Sequence, residues 1–313
     1  MSSKVTVIIP TFNKKDLLEE CLNSLQKQAL SQFDTVVVDN GSSDGTSQLI
    51  EEKFPEVRII RNEKNRGFVA VNQAIVEAKT EYIALLNNDA IAVENWLEEL
   101  VRGMERFPEA GFAAAKILQF SNKKLIESAG DGFSQGLLAG YSIGNNQPDN
   151  EDFNYEKFVF SATGNGSIYR KELFDKVGLF DKRFFAYFED IDLGFRANLA
   201  GFKCVFLPKA VIFHRGGQTA VHNSLFHLRL TDRNKIITVL KNMPLKYIFR
   251  NRKASFDLFF WPFEEIFKLR LRFFYFAYNR LQILFWLPFI LSDRFKIAKS
   301  RKITDEQLEK ILV

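Results

Sequence analysis

Three carboxylates and one histidine of this chain follow apolar segments, where they could bind a cation with a phosphate or take up a proton. Asp39 ends a run that reads TVVV, Asp89 follows YIALLNN, Asp190 follows an aromatic segment, and His214 follows VIF. In open α/β sheets the ligand crevice lies outside the carboxyl ends of the strands. Carboxylates at that edge can hold a divalent cation with its phosphate oxygens, bind a nucleoside hydroxyl, or act as a general base.

Residues 82–86 have the length and apolar character of a buried strand, and Asn87, Asn88 and Asp89 end it abruptly. We therefore expect Asp89 at the mouth of the sheet, in a position to hold a divalent metal and, through it, a phosphate. The alternative is that Asp89 only caps a helix that begins near Glu94, because Asp is favoured at helix N-caps.

Asp39 stands before a loop that reads NGSSDGT. A carboxylate at such a strand end can accept a hydrogen bond from the base or ribose of a nucleotide. The loop is also ordinary turn chemistry, with Ser43 or Asp44 as a cap for the next helix, and both interpretations can hold. The chain has no GxGxxG after its first strand and no P-loop pattern, which argues against a dehydrogenase and a P-loop ATPase. A metal on Asp89 would instead neutralise the phosphates of a nucleotide.

Glu189, Asp190 and Asp192 put three carboxylates near the start of a predicted helix. The helix dipole favours an anion there, and a carboxylate that points into the crevice could take a proton from an acceptor hydroxyl. A solvated acidic helix cap is the alternative, although aromatic residues flank the group on both sides. His214 is followed by Arg-Gly-Gly, which leaves its ring accessible as a metal ligand, with a structural role for a lone histidine as the alternative.

The elements that must position these residues alternate between strands and helices. The patterns predict strands at 4–9, 33–38, 57–60 and 82–86, and helices at 16–30, 46–53 and 68–78. This alternation predicts an α/β fold with a parallel sheet and helices on both faces. Right-handed crossovers would bring the ends of the first, second and fourth strands to one crevice.

Beyond Asp89 the pattern is less regular. The patterns predict helices at 94–107, 171–177 and 191–200, and strands at 111–118, 158–162, 205–207 and 211–213. Residues 121–154 are rich in Gly, Asn, Ser and Asp, which predicts loops with short strands that could form a flap over the site.

Charge and aromatic content divide the chain into two parts. The first 240 of its 313 residues hold 28 Lys and Arg against 31 Asp and Glu, whereas residues 241–313 hold 15 against 7 and contain 17 of the 44 aromatic residues. We therefore predict a catalytic domain over residues 1–242 and a basic, aromatic helical extension over 243–313. The chain enters a strand-like run directly, with no signal peptide, which predicts a cytoplasmic protein.

The extension is predicted to lie peripherally on the inner face of the cell membrane without crossing it. Residues 245–300 combine aromatic clusters, such as the one at Trp261, with basic residues that include Lys268 and Arg280. This is the composition of an interfacial amphipathic helix. The most apolar run, residues 281–291, is too short for a span, which needs about 20 apolar residues. The alternative is a helical appendage that packs on the catalytic domain or on a second copy of the chain in a homodimer.

Several motifs occur in a fixed order: VIIPTFN, VVVDNGSSDGT, NRGF, LLNND, TGNGS with its continuation RKELFDKVGLFD, YFEDIDLGFR and HRGG. Together they resemble glycosyltransferase family 2, the inverting enzymes with the GT-A fold, and most of all its rhamnosyltransferase-like members. Each motif alone is weak, but the whole series is specific, and it covers about residues 4–242. The resemblance implies a GT-A fold, which is a Rossmann-like, mostly parallel sheet flanked by helices, here with a C-terminal helical, amphipathic extension.

The resemblance also implies roles for individual residues. Asp190 would be the catalytic base, and Asp89 and His214 would hold Mg²⁺ or Mn²⁺. The residues expected to bind the nucleotide-sugar are Pro10, Thr11, Asp39, Asn65, Arg66, Gly67 and Asn88. Asn87 departs from the family pattern, because many relatives have Asp there, so metal affinity would depend more on Asp89.

The predicted function is inverting, metal-dependent transfer of a sugar from a nucleotide-sugar to a hydroxyl of a saccharide or lipid-linked saccharide in cell-surface polysaccharide synthesis. Rhamnose is the favoured sugar, the donor would be a dTDP-, UDP- or GDP-sugar, and no nucleic-acid partner is expected. The alternatives are a nucleotidyltransferase and a non-catalytic α/β nucleotide-binding module. The first would want a basic, Gly-rich phosphate loop near the N-terminus, and the second would not need Asp89, Asp190 and His214 to converge.

Overall fold

The structure, a computed structural model, describes residues 3–216, 224–260 and 270–312, and the side chains of residues 260 and 270–273 are also outside the description. The second glycine of the HRGG motif, Gly217, and two residues of the predicted membrane-surface segment, Trp261 and Lys268, lie outside the described residues.

The N-terminal part of the chain forms four parallel strands that alternate with helices, as predicted. The strands are β1 (Val5–Thr11), β2 (Asp34–Asp39), β3 (Arg58–Arg61) and β4 (Tyr82–Leu85), and the helices are α1 (Lys15–Leu25), α2 (Thr46–Lys53) and α3 (Asn72–Glu77), with a 3₁₀ turn at Phe68–Val71 before α3. The strand order is β4-β1-β2-β3. Alternate residues of the apolar runs point to opposite faces, so that Val7 and Ile9 join one core and Ile8 joins the other. Helices therefore cover both faces of the sheet.

Helix α1 ends five residues earlier than the prediction, which extended it to residue 30. The chain after Leu25 bonds to the first turn of helix α4 (Trp96–Arg106) and to the connection before it instead of continuing its own helix. Gln28 donates to the Val93 carbonyl and accepts from the Leu97 amide. The amide of Ala29 bonds to a carbonyl of the same connection. Tertiary hydrogen bonds thus replace the last helical turn.

The second part of the chain extends the sheet with strands of both directions. It adds β5 (Ala90–Ala92), β6 (Ala110–Gln119), β7 (Ile126–Ser128), β10 (Lys157–Val159), β11 (Ser167–Arg170) and β12 (Lys203–His214). Strand β11 runs antiparallel between β4 and β6, and β12 is parallel to β6. The two short strands predicted at 205–207 and 211–213 are one strand, interrupted by a register shift between Leu207 and Val211. Pro208 lies in this interval, and a bulge accommodates its missing N–H.

The Gly- and Asn-rich stretch predicted as loops with short strands contains a separate hairpin. Its strands are β8 (Asp131–Ser134) and β9 (Ala139–Ser142), and a 3₁₀ turn follows at Glu151–Phe153. The hairpin packs on helix α6 (Glu189–Leu199), where a Cβ atom added at Gly140 would lie 2.8 Å from the Ile191 side chain. Glycine at this position therefore allows the hairpin to approach the helix closely.

Helices complete the chain. They are α5 (Lys171–Val177), α7 (Leu225–Asn242), α8 (Leu245–Arg250), α9 (Arg252–Phe260), α10 (Arg270–Ser300) and α11 (Asp305–Ile311). Helix α10 lies along α7, and Arg294 Nη1 donates to the Leu240 carbonyl at 2.7 Å. Within the described ranges, no helix combines the length and the apolar character that a membrane span requires. The predicted division at residues 242/243 falls between α7 and α8 and stays a prediction.

Candidate active site

A cavity of about 1000 Å³ opens at the carboxyl ends of β1 and β4. Most of the residues predicted to act in the site line it: Pro10, Thr11, Asn65, Gly67, Asn88, Asp89, Asp190 and His214. Asp39 and Arg66 do not line it. The hairpin β8–β9 contributes Asp131 and Tyr141 to the wall, so the stretch predicted as a flap borders the site.

Asp89 and His214 meet because of the register between β5 and β12. These strands are antiparallel, and His214 stands opposite Ala90, the residue after Asp89. The distance from His214 Nε2 to Asp89 Oδ1 is 3.1 Å, and His214 Nδ1 lies 2.5 Å from Glu127 Oε1. The alternative in which Asp89 caps the following helix is wrong, because β5 intervenes and Asn95 occupies the N-cap of α4.

Two opposing effects set the protonation of His214. Burial alone would lower its pKa, but the hydrogen bonds and charges of Asp89 and Glu127 outweigh burial and raise the pKa to about 10. Both ring nitrogens therefore face a carboxylate oxygen, and a cation that binds Nε2 would take the place of a proton there.

The donors at this end of the cavity fit a cation that is shared with a substrate. Asp89 offers carboxylate oxygens and His214 offers Nε2, and no group of three or more His, Cys, Asp and Glu in the described part of the chain could enclose a metal by itself. Mg²⁺ is commonly held by one or two protein carboxylates together with substrate phosphates, and imidazole is an accepted ligand of divalent transition metals. The two side chains thus suit a metal that bound diphosphate completes.

The carboxylate of Asp39 is hydrogen-bonded to residues of the turn and helix that follow it. It accepts hydrogen bonds from the Ser42 amide at 2.9 Å, the Ser42 hydroxyl at 2.5 Å and the Ser47 hydroxyl at 3.1 Å. The next residue, Asn40, lines the cavity instead. Asn40 Nδ2 donates to the Gly67 carbonyl, and Asn40 Oδ1 accepts from the Arg66 amide. The nucleoside-binding role of Asp39 stays a prediction.

The Asn65–Gly67 loop is held tightly against the cavity wall. Asn65 Oδ1 accepts from the Gly67 amide at 2.8 Å, whereas the Arg66 side chain is exposed to solvent. Gly67 has φ 73°, and an added Cβ atom would lie 2.2 Å from the carbonyl oxygen of Phe185. A glycine is therefore required here by both backbone conformation and space.

Thr11 and Asn88 join the ends of the two central strands. Asn88 Nδ2 donates to Thr11 Oγ1 at 3.0 Å, and both side chains are buried. The Asn87 amide donates to Asn165 Oδ1, which connects the strand end to the TGNGS segment. These polar contacts hold together the carboxyl ends of β1 and β4 and the TGNGS segment.

Asp190 lies in the first turn of α6 and lines the cavity. Its carboxylate accepts from the amides of Ile191 at 2.8 Å and Gly164 at 3.3 Å. Burial raises the pKa of Asp190 despite these hydrogen bonds. Burial and the charge of Asp190 also raise the pKa values of Asp131 and Glu189 well above the ordinary carboxyl range. A carboxylate with a raised pKa in a cavity is suited to accept a proton.

Asp192, the third carboxylate of the group, has a structural environment. It is fully buried and accepts hydrogen bonds from Arg196, Lys241 and Asn242, all between 2.8 Å and 2.9 Å. The alternative of a solvated acidic cap is therefore wrong for Asp192, and also for Glu189, which is 5% exposed.

Sequence reasoning missed several residues of the cavity wall. They are Asn40, Glu127, Asp131, Tyr187 and His227. Asn40 had a signal, because it directly follows a strand end. Glu127 and Asp131 come from an irregular stretch without periodicity, and His227 reaches the cavity only because α7 packs there, with its ring 4.7 Å from that of Tyr187.

The sequence is similar to a model of glycosyl transferase family 2, which matches residues 6–178. It is also 26% identical over 251 residues to an N-acetylglucosaminyl-diphospho-decaprenol L-rhamnosyltransferase of Mycobacterium tuberculosis, an alignment that covers 73% of this chain and 81% of the relative. The family model covers more than half of the chain.

Solved structures show the same fold at low sequence identity. A mannosyltransferase from Pyrobaculum calidifontis, solved with GDP-Man and Mn²⁺, has a TM-score of 0.57 at 16% identity and covers 99% of this chain and 84% of its own. GalNAc-T7, solved with UDP, GalNAc and Mn²⁺, has a TM-score of 0.62 at 16% identity over 77% of this chain and 48% of its own. These similarities confirm the predicted GT-A fold, and the family match confirms the prediction of a glycosyltransferase. The chain belongs to glycosyl transferase family 2.

Proposed function

We propose that this protein transfers a sugar from a nucleotide-sugar to an acceptor hydroxyl with inversion at the anomeric carbon. The observation that carries the proposal is the convergence of Asp89, His214 and Asp190 on one cavity at the strand ends. The first two side chains suit a diphosphate with its cation, and the third suits a base. A non-catalytic binding module would not need this convergence.

The donor would lie between the β1 and β4 strand ends and the Asn65–Gly67 loop. Thr11 and Asn88, which are hydrogen-bonded to each other, and the side-chain amide of Asn40 would supply polar contacts to the nucleotide there. The relative from Mycobacterium tuberculosis favours rhamnose as the sugar, and the two solved structures contain UDP and GDP-Man. A dTDP-, UDP- or GDP-sugar is therefore proposed as the donor class.

Asp89 and His214 would hold Mg²⁺ or Mn²⁺. When bound, the cation would stabilise the negative charge that develops on the departing diphosphate. Glu127 fixes the orientation of the His214 ring through Nδ1, as second carboxylates commonly do for metal-bound histidines.

Asp190 would accept the proton of the attacking hydroxyl. A single base is sufficient for direct displacement, whereas hydrolases of glycosides use two carboxyl groups. Burial raises the pKa of Asp190 above the ordinary Asp value. The base is thus matched more closely to neutral pH than a solvated Asp would be.

The acceptor is proposed to be a lipid-linked saccharide, because the relative from Mycobacterium tuberculosis is named for a diphospho-decaprenol acceptor. The surface of helix α10 is consistent with contact to a lipid membrane. Its inward residues Phe276, Ile283 and Ile290 are buried, yet a second apolar face is exposed. The exposed side chains, each between 62% and 75% accessible, are Phe274, Leu281, Leu284, Phe285, Phe289 and Phe295. We call this set the exposed face of α10.

The spacing and surroundings of the exposed face favour membrane contact. Leu281, Phe285 and Phe289 are four residues apart and therefore share one side of the helix. Anionic lipid would attract the net positive charge of residues 241–313. Arg280 does not contribute, because it pairs with Asp232 at 2.7 Å and donates to two carbonyls of α9. The protein would accordingly sit peripherally on the inner face of the cell membrane.

Two measurements test the catalytic proposal. Isothermal titration with UDP, dTDP and GDP, each with and without MnCl₂, identifies the nucleotide. The matching nucleotide-sugars are then incubated with N-acetylglucosaminyl-diphospho-decaprenol, and sugar transfer and anomeric configuration are determined. Metal-dependent nucleotide binding followed by inverting transfer is the expected result. Retention of configuration, or the absence of nucleotide binding, would contradict the proposal.

A further inference from the structure

The segment that leads into Asp190 has an unusual backbone. Phe185, Tyr187 and Phe188 have φ angles of 65°, 68° and 68°, in the left-handed region. This conformation is unfavourable for a residue that carries a Cβ atom, because that atom comes too close to the following carbonyl oxygen. Such strain persists only where the surrounding structure imposes it, and it concentrates at functional sites. Something outside the segment must therefore hold it.

Helix α6 has no capping residue that would anchor its first turn. Its N-cap is Phe188, one of the left-handed residues, and the Phe188 side chain makes no capping hydrogen bond. Asp190 stands in that first turn, directly after the strained segment. The direction in which Asp190 enters the cavity thus depends on how residues 184–188 are held.

Asn234 of α7 holds the segment. This side chain is fully buried, and its Nδ2 atom lies 2.9 Å from the Phe184 carbonyl and 2.8 Å from the carbonyls of Ala186 and Tyr187. Because an amide nitrogen carries two hydrogens, the three carbonyl oxygens share them. Arg233 adds hydrogen bonds to the carbonyls of Arg183 and Phe184. The two residues of α7 together bind four carbonyls of a five-residue stretch.

The opposite side of the segment faces the donor side of the cavity. The Val69 amide lies 3.4 Å from the Phe185 carbonyl oxygen, the same atom that excludes a side chain at Gly67. The segment is therefore enclosed between the Asn65–Gly67 loop and α7. A change on the α7 side would therefore be transmitted to Asp190, which directly follows the segment.

We infer that Asn234 is a positioning residue for Asp190, acting through the carbonyls of residues 184–187. The inference rests on the proposed function, in which Asp190 is the base. Asn234 does not line the cavity and does not touch the reacting groups. Its contribution is the geometry of the segment, and a displacement of about 1 Å at a catalytic group can cost on the order of 10²-fold in rate.

Asn234→Ala and the isosteric Asn234→Asp remove the donor atoms in two different ways. We expect both to lower kcat by about 10–100-fold while the affinity for the nucleotide identified by titration changes less than about threefold. Asn279→Ala is the matched control, since Asn279 is also fully buried and donates to a main-chain carbonyl, that of Arg229. The control should lose thermal stability to a similar extent and keep its kcat. Equal kcat losses in Asn234→Ala and Asn279→Ala would overturn the inference.

A double-mutant cycle separates positioning of the base from general damage. If Asn234 acts through Asp190, Asn234→Ala should have little further effect on the residual rate of Asp190→Asn, whereas independent effects would multiply. Multiplied losses would overturn the inference. A wild-type rate in Asp190→Asn would show that the proposed base is wrong and would remove the inference with it. A slow Asp190→Asn beside a fast Asn234→Ala would overturn the inference alone.

Discussion

The Nε2 atom of His214 lies 3.1 Å from Asp89 Oδ1, although 125 residues separate the two in the chain. The contact follows from the antiparallel register of β5 and β12, in which His214 faces Ala90. Both side chains are thus positioned by strands of the central sheet. Sites built on such rigid elements keep their geometry better than sites on loops.

Glu127 is predicted to increase the metal affinity of Asp89 and His214 by orienting the His214 ring. Because it contacts Nδ1 of His214, Glu127→Gln should weaken Mn²⁺ binding in the presence of nucleotide by about 10–100-fold, and Asp89→Asn should weaken it at least as much. Electron paramagnetic resonance of free Mn²⁺ measures the affinity without any turnover. Glu77→Gln is the control. Glu77 forms an ion pair with Arg58 at the amino end of β3, whereas the cavity lies at the carboxyl ends of the strands. Unchanged Mn²⁺ affinity in Glu127→Gln would show that Glu127 does not orient the histidine.

Asp190→Asn is predicted to keep nucleotide-sugar binding and to lose transfer by about 10²–10⁴-fold in kcat. In the wild type, activity should fall as the pH drops through the pKa of Asp190, because the base must be ionised. Burial raises that pKa, so the acidic limb should lie above the ordinary Asp range. The limb should disappear in the variant. Transfer by Asp190→Asn near the wild-type rate would assign the base elsewhere, with Glu189 as the next residue in the cavity to test.

The sequence predicts the strand-end residues well because their signals are local. Asp89 and His214 each follow an apolar run, and parallel strands bring the ends of such runs to one edge. The same argument selects Asp39, but the hydroxyls of Ser42 and Ser47 satisfy its carboxylate within the turn. Strand-end position therefore identifies the correct edge of the sheet more reliably than it identifies the side chain that faces the cavity.

Contacts between distant segments explain what the sequence does not predict. Glu127 and Asp131 reach the cavity because β7 pairs with β6 and the β8–β9 hairpin packs on α6, and neither arrangement leaves a periodic pattern. Asn234 lies in a helix and bonds to a segment about 50 residues earlier. Asp192 belongs to the same acidic group as Asp190, and only Lys241 and Arg196 reveal its structural role.

Asp192 is predicted to make stability depend on pH. Burial alone would raise its pKa, but Lys241 and Arg196 lower it below the ordinary value. A carboxyl group with a lowered folded-state pKa stabilises the protein above its unfolded pKa of about 4, and this contribution is lost as the pH falls through the folded-state pKa. Asp192→Asn should therefore reduce the free energy of unfolding by about 3–5 kcal/mol at pH 7, and the difference from wild type should shrink below pH ~4.

Urea unfolding followed by circular dichroism at several pH values measures this difference. Glu105→Gln is the control, because the Lys4–Glu105 pair is exposed and screened by solvent, so this variant should unfold like the wild type at every pH. If the destabilisation of Asp192→Asn is the same at pH 7 and pH 3, the carboxylate charge is not the cause.

The last prediction concerns the exposed face of α10. Full-length protein should float with anionic vesicles at low salt, should bind neutral vesicles more weakly, and should be released by salt, since basic residues add roughly 1 kcal/mol each near an anionic surface. Phe285→Glu with Phe289→Glu should weaken binding at least tenfold, because each buried Phe contributes about 1.5–3 kcal/mol. The control pair is Val76→Glu with Leu137→Glu, two apolar residues exposed by 62% and 68% elsewhere on the protein. If the full-length protein stays unbound on anionic vesicles at low salt, sedimentation should instead reveal a dimer that buries the exposed face against a second copy of the chain.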